Sequence, residues 1–340
     1  MPAPEQCADT AGEFFVVCHA IIVALLDDNF APNGVGNAIA ITQTIMGVCV
    51  EVPLPARLGG LMTVRDLETP TAADDRVLAF TRGLSAAIVG FLVVAFAVLY
   101  PWPTDTGRLF AWHIVPTMTA MVLGSAYLGG AYFFIRVATA SSWHTVKAGF
   151  LPVALFATLL GVATIVHWNK FIHSHVAFWL WAGLYFTTPF LVLGGWLRNR
   201  RMDVSAIADD VLVPVAATWT LTILGAVAFI TGAVLYLAPA MAMRFWPWQL
   251  TPLTCRTIGA VWCLGVAGVA APLDRRWTTV RIPLHTAAVM MSLMFIAGIR
   301  ASAEFDAGKA LTWLLAVGFV VVIVAIAVLS WRMERRKLMR

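Results

Sequence analysis

Carboxylates are missing from the long apolar segments of this chain, and charged residues of both signs make up only 12% of its 340 residues. From Leu78 onward every acid falls in a linker or in the C-terminal tail, namely Asp105, Asp203, Asp209, Asp210, Asp274, Glu304, Asp306 and Glu334. Carboxylates inside the membrane are the usual parts of proton relays and cation-coupled carriers. Their absence argues against a proton-driven antiporter or pump, and it leaves open a facilitator, a lipid-handling protein and an accessory subunit.

Cysteine pairs and catalytic motifs are lacking as well. The cysteines show no C-x-x-C or other paired spacing, and we interpret them as packing residues: Cys7, Cys18, Cys49, Cys255 and Cys263. The chain contains no P-loop, no G-x-S-x-G elbow, no H-E-x-x-H and no Rossmann fingerprint. The sequence identifies no catalytic residue and favours a protein that is not an enzyme, without deciding the point.

What the chain has is apolar surface. Apolar residues make up 60% of it and the mean hydropathy is +0.83, whereas soluble domains contain about 45–50% apolar and about 25% charged residues. One water-soluble core cannot bury so much, so the lipid bilayer must be the solvent and the main partner. We assign the formal charge of +5 to basic residues at one membrane surface, and not to nucleic-acid binding.

Continuous apolar runs predict eight membrane spans, at about 78–100, 109–136, 148–168, 176–197, 212–238, 255–273, 282–300 and 310–331. The linkers after the second, fourth and sixth spans, together with the C-terminal tail, carry thirteen Lys and Arg, against six in the opposite linkers. Because basic residues gather on the cytoplasmic side, both termini are predicted to be cytoplasmic.

Short sequence matches predict an internal repeat. The Pro- and Trp-rich loop at 245–256, F-W-P-W-Q-L-T-P-L-T-C-R, has an echo at 100–108, Y-P-W-P-T-D-T-G-R. The segments W-H-T-V-K and W-T-T-V-R begin at Trp143 and Trp277, and W-L-R-N-R and W-R-M-E-R begin at Trp196 and Trp331. The predicted fold is therefore an all-α polytopic integral membrane protein with eight transmembrane helices in two parallel-related four-helix halves.

The predicted first half covers residues 62–201, and the second half, with a basic cytoplasmic tail, covers 202–340. Residues 1–61 form an atypical N-terminal extension, because their apolar run at 14–26 is shorter than the about 20 residues that a span needs. Acids also stand where a signal peptide carries basic residues. The extension is either no part of the native protein, which would then begin at Met62, or an interfacial hairpin.

Polar and aromatic side chains collect on the predicted outer face. They define a candidate binding mouth over a cavity between the halves: Asp105, His113, His167, His173, His175, Trp246, Trp248, Glu304 and Asp306. His113 is expected a few residues inside the second span. Glycines in the second and sixth spans predict that both lie at the centre of the bundle. We therefore expect a small or lipid-like molecule to bind or pass between the halves.

Two alternatives are open. Four of the outer histidines, His113, His167, His173 and His175, are candidate ligands of a transition metal, and His113 with His167 is a candidate axial pair for haem iron. The protein would then be a membrane redox or metal protein, although histidines wetted at the interface explain the pattern more simply and no cofactor is predicted. As an accessory subunit, its partners would be the other subunits of a larger membrane complex.

The loop W-P-W-Q-L-T-P-L-T-C-R, residues 246–256, and the turn H-W-N-K-F, residues 167–171, resemble a pattern in multi-spanning membrane proteins of high-GC bacteria. The resemblance covers roughly residues 75–335. It implies an integral protein of the bacterial plasma membrane. It implies no activity and supplies no catalytic residue.

Overall fold

The computed structural model describes residues 75–202, the first half, and residues 210–339, the second half. In this part of the chain eight helices are long and apolar enough to cross a membrane. They are α1 (Ala79–Leu99), α2 (Thr117–Thr139), α3 (Phe150–Val166), α4 (Val176–Asn199), α5 (Val215–Leu237), α6 (Pro252–Cys263, with the span continuing to Leu273), α7 (Trp277–Arg300) and α8 (Ala310–Leu338). The protein is an all-α polytopic integral membrane protein, and that prediction is confirmed. The extension at 1–61 lies outside the described residues.

Two helices begin five or more residues away from the starts that the hydropathy predicts. α2 begins at Thr117 and not at 109, because Pro116 has extended backbone and a proline disfavours helical backbone in the residue before it. The prediction that His113 lies inside the second span was therefore wrong, since it lies in the linker before α2. α7 begins at Trp277, before the predicted start at 282. The hydropathy misses this first turn because its residues are largely polar and do not extend the apolar run.

The linkers lie at two ends of the bundle. The tryptophan end consists of residues 100–116, 167–175, 238–251 and 301–309. The basic end consists of residues 140–149, 200–202, 210–214 and 270–276 and the last turns of α8. These two names describe positions in the protein and carry no assignment to a membrane side.

The same backbone contacts occur in both halves, 134 to 136 residues apart. At the tryptophan end, Ile172 N donates to Ala111 O over 2.9 Å, and Asp306 N donates to Pro247 O over 2.8 Å. In these contacts the position of the Pro-Trp loop is taken by the segment W-H-I-V-P that follows Ala111, which matches W-Q-L-T-P after Pro247. The predicted echo at 100–108 takes no part in them.

The basic end repeats a contact in the same way. Trp143 N donates to Asp75 O over 2.7 Å, and Trp277 N donates to Val211 O over 2.8 Å. Both tryptophans are fully buried. Each of these backbone hydrogen bonds thus fixes the start of its half beside the start of the third helix of that half.

Helix packing crosses between the halves. α2 packs against α1 of its own half and against α7 of the other, while α6 packs against α5 of its own half and α3 of the other. α2 and α6 also contact each other, as the small residues in both spans predict. The second helix of each half therefore completes the core of the opposite half.

Two tyrosines at corresponding positions join the halves by reciprocal hydrogen bonds. Tyr100 Oη, at the end of α1, donates to Leu293 O of α7 over 2.8 Å. Tyr236 Oη, near the end of α5, donates to Leu159 O of α3 over 2.6 Å. The backbone comes this close because glycine faces each tyrosine: a Cβ on Gly124 would lie 3.1 Å from Tyr100 Cβ.

In the second half, glycine allows an equally close approach of the backbones. A Cβ on Gly259 would lie 2.8 Å from Tyr236 N, closer than side-chain atoms normally approach backbone. α5 and α6 also touch through glycine, since a Cβ on Gly225 would lie 2.6 Å from Gly265 O. Small residues at these crossings let membrane helices pack backbone to backbone, where dispersion forces are strongest.

We expect Tyr100→Phe and Tyr236→Phe each to reduce the free energy of unfolding by about 1 kcal/mol, because each removes one hydrogen bond between the halves. The measurement is the thermal unfolding midpoint of the purified protein in mild detergent. Tyr132→Phe is the comparison, since its hydroxyl also faces the other half but lies 3.4 Å from His285 Nδ1, a longer and weaker contact whose loss should cost less. Midpoints equal to the wild type for both Tyr100→Phe and Tyr236→Phe would contradict a role of the reciprocal bonds in holding the halves together.

Candidate functional site

The structure places all the predicted mouth residues in linkers of the tryptophan end: Asp105, His113, His167, His173, His175, Trp246, Trp248, Glu304 and Asp306. They do not converge on one point there. Instead they divide into separate contacts, most of which join one linker or helix to another. The contacts are described in turn, because they decide which side chains are still available for a ligand.

Glu304 caps a helix of the opposite half. Its Oε1 accepts hydrogen bonds from Thr117 N over 2.9 Å and from Thr117 Oγ1 over 2.6 Å, and its Oε2 accepts one from Met118 N over 2.8 Å. A carboxylate at a helix N-terminus satisfies otherwise unpaired N–H groups and interacts favourably with the helix dipole. Glu304 thus fixes the start of α2 against the linker after α7.

His167 is paired with a cation. Arg256 Nη1, in the first turn of α6, lies 2.6 Å from His167 Nε2 and donates to it. Burial, and then the positive charges of Arg256 and Lys170, lower the pKa of His167 to about 4. The imidazole is therefore neutral at pH 7 and can accept this hydrogen bond through its unprotonated nitrogen.

The other three histidines lie apart. His113 is exposed and packs its ring beside Gly107. The His173 ring packs edge-on against Phe178, with ring centroids 4.6 Å apart, and His175 Nδ1 lies 3.4 Å from a backbone carbonyl. Over residues 75–202 and 210–339, no three His, Cys, Asp or Glu side chains form a group that could hold a metal ion.

The two aspartates at this end form contacts within their own turns. Asp105 Oδ2 lies 4.0 Å from Arg108 Nη2, on an exposed surface. Asp306 is exposed, and its Oδ1 accepts a hydrogen bond from Gly308 N over 3.0 Å. Neither carboxylate approaches a histidine, so the polar residues of the tryptophan end do not form one shared binding site.

The two tryptophans of the Pro-Trp loop are buried. Their ring centroids lie 5.1 Å apart, and Trp248 Nε1 donates to Thr119 Oγ1 of α2 over 3.0 Å. Trp246 lines a cavity, and its indole N–H has no hydrogen-bond partner among the described residues. Of the predicted mouth residues, Trp246 is thus the one that contacts the interior space.

This cavity has a volume of about 700 Å³ and is lined by residues of all eight helices. The two halves line it with different side chains. In the first half, Tyr127, Phe133 and Phe156 occupy its wall, while the positions 134 or 135 residues later hold Trp262, Gly268 and Met290. Two of these three aromatic side chains therefore have no aromatic counterpart in the second half. No sequence motif marks these residues; comparison of the two halves in the correct register is the signal that finds them.

A charged group closes the cavity wall at the basic end. Asp274 Oδ2 accepts a hydrogen bond from Arg276 Nη2 over 2.6 Å and lies 3.3 Å from Lys147 Nζ of the first half. Burial by itself raises the pKa of this carboxyl, but the hydrogen bonds from Arg276 and the charges of Lys147 and Arg276 outweigh it and hold the pKa at about 2. Asp274 is ionised at neutral pH and links the halves.

The low pKa of Asp274 predicts a stability that depends on pH. Because the folded pKa lies below the unfolded value, the ionised carboxylate stabilises the fold above about pH 4, and this contribution of about 1–2 kcal/mol is lost as the pH falls toward 2. Asp274→Asn should lower the unfolding midpoint at pH 6 and flatten its fall between pH 6 and pH 2. Asp306→Asn, on the exposed turn, is the control. Parallel curves for the wild type and Asp274→Asn would refute the assignment.

Comparison of the chain with family models, with curated proteins and with solved structures gives no match.

Proposed function

We propose that the protein binds a lipid-like or other largely apolar molecule in the cavity between its helices. The observation that carries the proposal is the cavity itself, about 700 Å³ in volume with walls that are almost entirely apolar. Binding sites for small molecules are usually clefts of about 300–1,000 Å³ with apolar walls and a few polar groups that orient the ligand. The cavity fits that description in both size and chemistry.

Its few hydroxyls add little polarity to the wall. Thr220 Oγ1 donates to Ala216 O over 3.0 Å, and Thr286 Oγ1 donates to Ile282 O over 2.9 Å, so both bond within their own helices. A sugar or a metabolite rich in hydroxyl groups would lose its hydrogen bonds to water on entry. The indole N–H of Trp246 is a donor suited to one acceptor oxygen at the tryptophan end of an otherwise apolar ligand.

The part of the cavity wall that the second half contributes can adapt to the shape of a ligand. Met290, Met291 and Met294 of α7 all line the cavity. Methionine side chains are flexible and polarisable and repack around ligands of different shape. This composition favours a ligand with an aliphatic chain over a rigid ligand that needs one fixed pocket shape.

We further propose that the two halves are an internal repeat and that the basic end faces the cytoplasm of a bacterial plasma membrane. The matched hydrogen bonds and tyrosines support the repeat, and the excess of Lys and Arg in the linkers of the basic end supports the orientation. Both termini are then cytoplasmic.

Filling the cavity should prevent binding. Gly318 of α8 lines the cavity and has open space where a Cβ would stand, whereas the corresponding residue of the first half is Leu184. Gly318→Leu is expected to weaken binding of a fluorescent fatty-acid analogue about tenfold without lowering the unfolding midpoint. Gly183→Leu, at an exposed glycine of α4 with equally open space, is the matched control. The proposal fails if both variants bind the probe as the wild type does.

The orientation is tested by reporter fusion. A green fluorescent protein fused after the C-terminus should fluoresce, and alkaline phosphatase at the same place should be inactive, because the tail is cytoplasmic. Insertion of the reporters into the exposed turn at Gly308 should give the opposite pattern. The reverse result at the two positions would show that the basic end faces outward.

A further inference from the structure

The junction of α3 and α6 at the tryptophan end carries three basic side chains and no acid. Arg256 and His167 are half buried and hydrogen-bonded to each other, and Lys170 is exposed one turn beyond His167. Between 75 and 202 and between 210 and 339, no carboxylate lies within ion-pair distance of Arg256 or Lys170. Of the five N–H donors of Arg256, only one on Nη1 has a partner in that part of the chain.

The corresponding junction of α7 and α2 has the opposite charge. Glu304 stands 134 residues after Lys170, in the matching turn, and its carboxylate holds the first N–H groups of α2. At the α3–α6 junction the matching helix start is capped by its own Thr251 and Thr254. One junction therefore carries an anion of its own, and the other has a lysine where that anion would be.

The positive charges of the α3–α6 junction contribute to the low pKa of its histidine. The charges of Arg256 and Lys170, added to burial, hold the pKa of His167 at about 4, so His167 stays neutral and neither adds to nor offsets the two positive charges. A partly buried cation without a counter-charge is costly, and an anion that enters the junction relieves that cost.

The junction lies where an anion in the membrane would be found. His167 directly follows α3, and Arg256 lies in the first turn of α6, so both are at the boundary of the spanning helices. Trp168, between His167 and Lys170, is 40% exposed, as is usual for a tryptophan at the level of lipid headgroups. Anionic phosphate is the abundant group at this depth.

We propose that Arg256 and Lys170 form a binding site for a phosphate-type anion at the α3–α6 junction. The planar guanidinium suits two oxygens of a phosphate, Lys170 supplies a second charge, and His167 orients Arg256 through its hydrogen bond. Neither Arg256 nor Lys170 lines the cavity, so this site is independent of the ligand proposed for the interior. The phosphate belongs either to a phospholipid headgroup or to a soluble ion.

Lys170→Glu gives the sharpest test, because it recreates the arrangement of Glu304 and fills the site with a carboxylate of the protein itself. The full chain in neutral detergent is titrated with phosphatidylglycerol, with phosphatidylcholine as the zwitterionic comparison, while the unfolding midpoint is followed. We expect Lys170→Glu to bind phosphatidylglycerol at least about tenfold more weakly than the wild type. Its midpoint without lipid should be no lower, since Lys170 is exposed.

Arg256→Gln should weaken binding to a similar degree, and Arg244→Gln, an exposed arginine at the same end, should leave it unchanged. A second titration uses inorganic phosphate against chloride at equal ionic strength. Stabilisation by inorganic phosphate alone, with the same dependence on Lys170 and Arg256, supports the site with a soluble anion as its ligand. The proposal is overturned if neither anion binds, or if Lys170→Glu and Arg244→Gln bind equally well.

Discussion

Contact between the second helix of each half and the third helix of the other is the interaction on which this bundle depends. Lipid removes the hydrophobic force between helices, so close packing and interhelical hydrogen bonds must hold them together. Close packing occurs where α2 crosses α7, since a Cβ on Gly129 would lie 3.3 Å from Thr286 O. The hydroxyls of Tyr100 and Tyr236 add hydrogen bonds from α1 to α7 and from α5 to α3. Glu304 and Asp274 add polar links between the halves at the two ends. The protein therefore has one shared core and not two four-helix cores side by side.

On this common backbone frame the two halves differ in their side chains. Phe156 of the first half corresponds to the flexible Met290 in the cavity wall, and Lys170 stands where the other half has Glu304. The first difference changes the flexibility of the cavity wall, and the second produces positive charge at the surface. The matched contacts require the same backbone in both halves, whereas the positions between them are free to differ. The binding sites that we propose accordingly lie where the otherwise matched halves differ.

The spans could be predicted because the thickness of a bilayer directly sets the length of an apolar run. The starts of α2 and α7 could not, since hydropathy reports neither the extended backbone at Pro116 nor the helicity of a polar first turn. Because successive spans cross the membrane in opposite directions, every second linker lies at the same end. This alone was enough to place all the predicted mouth residues at one end of the bundle. Which partners they take, as with Glu304 on α2, depends on helices that lie far apart in the chain. A cavity between the halves was predicted, but most of the residues that line it were not, because no sequence motif marks them.

The exchange of packing partners also constrains how the chain is made. α2 begins at Thr117 and its partner α7 at Trp277, 160 residues later. At about 5–20 residues per second, the ribosome reaches the start of α7 about 8–30 s after the start of α2. Throughout that interval Gly129 of α2 lacks the α7 side chain of Met290 against which it packs. The packing of the first half is thus completed only after α7 has been made.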